Sequence, residues 1–347
     1  MNRHLPLWLT LLLLTLPPSL SAALEGLLSV VDRQIIPAYQ QLQHQSAALQ
    51  QQGEQCQPEQ PPTALKQHFQ TTMAAWQQIQ YLRLGPAEFN LRHYRIHFWP
   101  DKRGSGSRQL LQFLAAADLE PLQPAQFAHQ SAALQGLTAL EQLLFANAPP
   151  DSYRCQLIAA ITTELHHNAT ALYQGWTQPL ENAPPFRHYI ATASEGNAFF
   201  ESRSEVESQL LNQLHTQLQF MIDHKLTKPL GTEPAKANGR LAESWRSQRS
   251  LDNLAQNLLS LRQVIELLLL PQLEGRPLKT ALQQQLHQAQ TTLNSIDIPL
   301  TRAVSDPEQR PRLEVLRQQL QQLQQLIATE VTAQLGISLG FNSLDGD

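Results

Sequence analysis

Apolar residues return every three or four positions along almost the whole chain, and no stretch reads convincingly as a strand. Leu24, Leu28, Val31, Ile35, Tyr39, Leu42 and Leu49 trace the first stripe, which Pro37 is placed to kink. Pro58, Pro61 and Pro62 break the chain before a second stripe through Leu65, Phe69, Met73, Trp76, Ile79 and Leu82. A short run at Leu110, Leu111 and Leu114 follows, then a fourth stripe from Phe127 through Leu134, Leu137, Leu140 and Leu144 to Phe145. Asp151 is positioned to cap a fifth helix holding Leu157, Ile158, Ile161, Leu165, Leu172 and Trp176 inside. Residues 179–187 contain three prolines and mark the expected domain boundary. Beyond them lie stripes from Val206 to Leu226, Ser250 to Leu270, Leu278 to Leu293 and Leu313 to Ile327. The last has near-heptad spacing over too short a run for a coiled coil, so a bundle seam explains it better. Eight or nine helices in two groups predict an all-α protein of two packed up-and-down four-helix bundles, over residues 24–180 and 181–347.

The first 23 residues follow a different pattern. Arg3 and His4 precede an apolar run from Leu5 to Leu16, then Pro17-Pro18 and the small residues Ser19-Leu20-Ser21-Ala22-Ala23. That order is expected of a secretory signal peptide, with a buried N-terminal helix as the alternative. The run falls short of the roughly 20 residues that span a bilayer core, so the mature chain is expected to carry no transmembrane anchor. Periplasm or cell envelope is the expected location. Only two cysteines occur, Cys56 and Cys155, and in an exported protein they suggest one disulfide, with two isolated thiols as the alternative. Charged residues make up only 16% of the 347, because glutamine fills many polar positions. A net charge of −4 without a basic stripe argues against a nucleic-acid partner.

Three places break the periodicity in ways that bear on chemistry. Residues 95–104 (RIHFWPDKRG) gather Trp99, Asp101 and Arg103 in a turn-rich segment, where functional groups often sit. The alternative has Trp99 capping a bundle end while Asp101 and Arg103 make surface pairs. Glu141 interrupts an apolar helix behind Gly136 and Thr138. An ionised carboxylate on a buried face costs several kcal/mol unless a cation, a metal or hydrogen-bond donors compensate it; an exposed glutamate at the stripe edge is the alternative. At the C-terminus, Asn342, Asp345 and Asp347 could hold a hard cation or form a frayed acidic tail. Glu164 and His167 have the i, i+3 spacing of di-iron bundles but lack the second such pair. No His-Glu-x-x-His, Gly-x-Ser-x-Gly or phosphate-binding glycine loop is present, which excludes serine-hydrolase and nucleotide-binding readings.

Taken together, residues 95–104, 136–145 (GLTALEQLLF), 243–254 (ESWRSQRSLDNL) and 335–347 (LGISLGFNSLDGD) resemble the imelysin family over essentially the whole mature chain. The resemblance implies a periplasmic two-bundle protein associated with iron acquisition, with metallopeptidase activity ascribed to the founding member. The family hallmark is Gly-x-His-x-x-Glu. Gly136 and Glu141 match it, whereas Thr138 stands at the histidine position, and a hydroxyl is a poor transition-metal ligand. The preferred expectation is therefore a non-catalytic envelope protein binding an unknown ligand or envelope partner between its bundles. Its expected site comprises Trp99, Asp101, Arg103, Gly136, Thr138, Glu141, Arg246, Asn342 and Asp345. A divalent or ferric ion at Glu141 is the cofactor to test. The alternative is a metallopeptidase using Glu141 as ligand or general base. Convergence of Arg103 and Asp345 on Glu141 would hold that acid ionised, with its pKa lowered.

Overall fold

Proline cannot donate a backbone hydrogen bond, and that fact marks three of the long helices. The computed structural model describes residues 25–180 and 183–340. The expected signal peptide over residues 1–23, and Asn342 and Asp345, lie outside the described residues. Helix α1 (Ile36–Glu54) continues a π-helical turn at Val31–Ile35 and carries Pro37 in its first turn. The missing Pro37 N–H leaves the ladder one partner short, and the N–H of Ile36 reaches back five residues to the Val31 carbonyl. The same device recurs before Pro229 and Pro271. There the Lys228 N–H bonds the Asp223 carbonyl, and the Leu270 N–H bonds that of Ile265. The expected kink at Pro37 is thus taken up as a widened turn.

Helices α2 (Thr63–Ile79), α3 (Ser105–Ala116), α4 (Gly136–Leu144) and α5 (Ser152–Thr177) complete the first half. Asp151 caps α5, its carboxylate accepting from the Arg154 N–H at 2.8 Å. α1 packs along both α2 and α5, and α4 lies against α5 and α2. Trp76, Trp176, Tyr39 and Phe69 fill the space between them. Cys56, just past α1, is joined to Cys155 in the first turn of α5, with Cα atoms 5.4 Å apart.

The second half holds α6 (Arg203–Phe220), which runs into the π turn Met221–Thr227, then α7 (Ser250–Val264), α8 (Pro277–Asn294) and α9 (Arg310–Leu326). α8 packs on α9 and α7, and α9 on α6. The two bundles meet where α2 lies against α7. Among the described residues the structure has no strand beyond one isolated bridge, Leu180 with Ala183. The all-α, two-bundle expectation matches this arrangement.

One expected helix is corrected. The stripe from Phe127 to Phe145 is split into a short turn at Pro124–Phe127, a 3-10 turn at Ala132–Leu134, and α4 from Gly136 onward. Gly136 is the cause. Its φ is +67°, and a Cβ there would lie 2.3 Å from the carbonyl oxygens of both Arg95 and Ile96. The glycine therefore opens a helix against another backbone, where only the absence of a side chain permits the approach.

Candidate functional site

Two polar centres lie side by side at the seam between the bundles. The first is sealed. Lys225 and Glu243 are 2% and 1% exposed, and their Nζ and Oε2 are 2.9 Å apart. The Lys225 ammonium also reaches the side-chain oxygens of Gln77 at 2.7 Å, Gln80 at 3.0 Å and Asn257 at 2.6 Å. Glu243 accepts further from Asn253 at 2.8 Å and from the Gln77 amide at 3.1 Å. α2 supplies Gln77, the π turn of the second bundle supplies Lys225, and α7 supplies Asn253 and Asn257. The widened turn ahead of Pro229 delivers Lys225 to the seam. Burial pushes the Glu243 carboxyl up, but the Lys225 ammonium and the donors around it outweigh that and bring its pKa to about 2. Burial also lowers the Lys225 ammonium, with Glu243 opposing. An ammonium ringed by four acceptor oxygens and a carboxylate ringed by donors define a charged pair.

Two neutral histidines border the cluster. The Gln80 amide, its oxygen already turned to Lys225, donates to His97 Nδ1 at 3.2 Å. An accepting Nδ1 means a neutral ring, and burial lowers the His97 pKa to about 4. The 3.8 Å approach of His97 to Glu243 is therefore not an ion pair. His93 donates Nε2–H to the Gln80 carbonyl at 2.9 Å, and burial brings its pKa to about 3.

The second centre is a cleft of about 730 Å³. Its walls come from the loop carrying Trp99, Pro100, Asp101 and Lys102, from α4 through Thr138, Glu141 and Gln142, from His224 and Lys228, and from the loop 240–246. Glu141 is 5% exposed. Its Oε1 accepts from the Ser247 backbone N–H at 2.8 Å and the Ser247 hydroxyl at 2.7 Å. Ser247 sits in the loop that also presents Glu243 to the sealed cluster, so one segment serves both centres. Ser244 and Gln248 in that loop hold φ values of +50° and +60°, a strained conformation for residues with side chains. Burial raises the Glu141 pKa, against the Ser247 bonds and the charge of Arg246. The Arg246 guanidinium lies 4.4 Å from the Trp245 ring, with Arg240 at 5.5 Å from the same ring.

Trp99, Asp101, Thr138, Glu141 and Arg246 all line the cleft. Asp101 does so with its carboxylate engaged: Oδ1 accepts from the Ser105 N–H and hydroxyl, and Oδ2 from the Gly106 N–H at 2.7 Å. Burial opposes ionisation of Asp101, yet these bonds lower its pKa and tie the loop to the start of α3. Two expectations need correction. Arg103 is exposed and is not among the cleft residues; its backbone N–H instead serves Asp101. The cation near Glu141 is Arg246, and the acid's pKa is raised, because burial outweighs the charges around it. Gly136 also stands outside the cleft, in the packing contact described above. Sequence reasoning missed Lys225, although a lysine on the stripe of Leu218, Met221, Ile222 and Leu226 carries the same signal that singled out Glu141.

The residues do not fit a transition-metal centre. Among the described residues no group of three or more His, Cys, Asp or Glu side chains is placed to hold an ion. Thr138 puts a hydroxyl where imidazole would be needed, and its Oγ1 is buried without a hydrogen-bond partner. Glu141 is already committed to Ser247 through one oxygen.

Fold and cleft together define a class: an all-helical protein of two packed bundles with a polar cleft at their seam. The chain belongs to the imelysin family, whose family model matches residues 35–327. It is 24% identical over 233 residues to Iron-regulated protein A of Synechococcus elongatus, a match covering 65% of this chain and 60% of that relative. Among solved structures, an imelysin-like protein from Psychrobacter arcticum 273-4 superposes with a TM-score of 0.77 at 22% identity. That match covers 92% of this chain and 98% of the other. A protein from Parabacteroides distasonis ATCC 8503, carried under the name iron-regulated protein A precursor, gives 0.75 at 14% identity, covering 92% and 96%.

Proposed function

We propose that this chain is an exported imelysin-like protein of the cell envelope that binds a ligand between its bundles, without peptidase chemistry, in the service of iron uptake. One observation carries the reading. Thr138 and Glu141 of α4 face a roomy cleft, yet the carboxylate is held by Ser247 of the facing bundle rather than grouped with an imidazole. A volume of about 730 Å³ lies within the usual range of small-molecule sites. The Cys56–Cys155 bond supports export, since disulfides persist in oxidising compartments. No helix among the described residues is long and apolar enough to cross a membrane. The iron link rests on the name of the cyanobacterial relative. In this reading residues 1–23 are removed, and the bundles are domains over 24–180 and 181–347.

The test is to express the full chain in a Gram-negative host, fractionate the cells and sequence the N-terminus of the product. The expected product is periplasmic, begins between Ala22 and Leu24, and cleaves no protein substrate. An unprocessed cytoplasmic product would overturn export. Chelator-sensitive proteolysis lost in Glu141→Ala would overturn the non-catalytic reading.

A further inference from the structure

The charge of the cleft opposes that of the chain around it. Lys102, Lys228, Arg240 and Arg246 line it against the two carboxylates of Asp101 and Glu141, a formal surplus of two positive charges in a chain whose net charge is −4. Neither carboxylate offers an open pair of oxygens. Asp101 is engaged through both oxygens with the start of α3, and Glu141 receives two bonds from Ser247. A bare cation entering here would meet more ammonium and guanidinium than available anion.

The aromatic groups point to the same class of ligand. Arg240 and Arg246 both lie over one indole, that of Trp245, at 5.5 and 4.4 Å from its centre, and the charge of Arg240 disfavours that of Arg246. A guanidinium held against a ring by cation–π attraction still has N–H groups to offer a planar oxyanion. Trp99 adds a second aromatic side chain to the walls. An oxyanion bound by both arginines would offset the positive charge gathered at Trp245, while the indoles would cover an apolar body.

The geometry points to a small organic anion as the ligand: a molecule with two or more carboxylate or phosphate groups on a body that packs against Trp99 and Trp245. This rests on the cleft being the ligand site. It further implies that any metal handled there enters as part of an anionic complex rather than as a free ion.

Isothermal titration of the mature protein with benzene-1,3,5-tricarboxylate, citrate, pyrophosphate and, separately, zinc chloride tests the assignment. At least one anion is expected to saturate a single site with Kd below about 1 mM, more weakly as salt is raised. The carboxylate and pyrophosphate arms separate the two oxyanion types. Arg246→Gln and Arg240→Gln are each expected to weaken that binding by about tenfold or more, while Arg33→Gln, at an exposed position that does not line the cleft, leaves it unchanged. Arg240 is exposed, so its variant carries the test should Arg246→Gln fail to fold. Failure of all three anions to saturate, or binding indifferent to both arginine variants, overturns the anion assignment. Stoichiometric zinc binding without an anion, lost in Glu141→Gln, also overturns it but leaves the cleft as a ligand site. Chelator-sensitive proteolysis, by contrast, would remove the non-catalytic reading itself.

Discussion

The sealed cluster around Lys225 and the open cleft around Glu141 share one loop, yet they treat charge in opposite ways. Lys225 and Glu243 are almost wholly buried, and four amide side chains, Gln77, Gln80, Asn253 and Asn257, take the place of water around them. Glu141 is nearly as buried, but it keeps two donors from one residue and a cation at the cleft edge. The consequence appears in the proton affinities. The fully solvated substitute around Glu243 holds its pKa at about 2, whereas the sparser one around Glu141 leaves its pKa raised. A complete polar shell makes a charge structural. An incomplete one leaves a group whose charge a ligand can still affect.

The sharpest way to break this contrast is to remove one partner of the sealed pair. Lys225→Met leaves Glu243 charged and buried, and is expected to cost about 3–5 kcal/mol of unfolding free energy, read by urea denaturation. Lys225→Met combined with Glu243→Gln should recover part of that loss, because the uncompensated charge is gone. A double variant no more stable than the single one would show that the pair is not coupled as drawn.

Acid should act on the sealed side first. His93 and His97 have folded pKa values of about 3 and 4, below the ordinary 6.5, so the unfolded chain binds more protons in that interval. Their contribution is complete above pH 6.5 and is lost as pH falls through about 4 for His97 and about 3 for His93. Each proton is worth about 1.4 kcal/mol per pH unit at most. Glu243, also depressed, adds a further loss below pH 4.5. Melting temperature should therefore fall steadily from pH 7 to pH 5, and a flat profile would contradict neutral buried histidines.

At Glu141 the sign reverses. Glu141 has a raised folded pKa, so its ionised form disfavours the fold as pH rises above 4.5. Glu141→Gln keeps an oxygen for Ser247 and removes that charge. It should change stability at pH 7 by no more than about 1 kcal/mol, in the stabilising direction. A loss comparable to Lys225→Met would place Glu141 among the structural charges. The smallest effect is expected at Thr138, whose buried hydroxyl has no partner. Thr138→Val should be neutral or stabilising by less than about 1 kcal/mol, measured in the same denaturation assay.

The helices were legible because their cause is local. A three-to-four residue stripe needs only a face to bury, and Asp151 before α5 or Pro229 behind the π turn act within one turn of chain. Glu141 was legible for the same reason, as a carboxylate set into an apolar stripe. Arg246 drew notice only through its place in a stretch resembling a family. Gln77 and Gln80 gave no chemical signal of their own, since glutamine covers so many exposed positions here that two buried ones look alike.

What the sequence determined by itself is the all-helical character, the breaks between helices except those inside residues 127–145, and the presence of unusual charge at 101 and 141. What only the tertiary structure decided is which charges meet. Lys225 finds Gln77 across 148 residues, and Glu141 finds Ser247 across 106. Helix periodicity states that a face will be covered, but not by what. The energy of a buried charge depends on the donors and acceptors within a few ångströms, and at the seam of two bundles those come from distant parts of the chain.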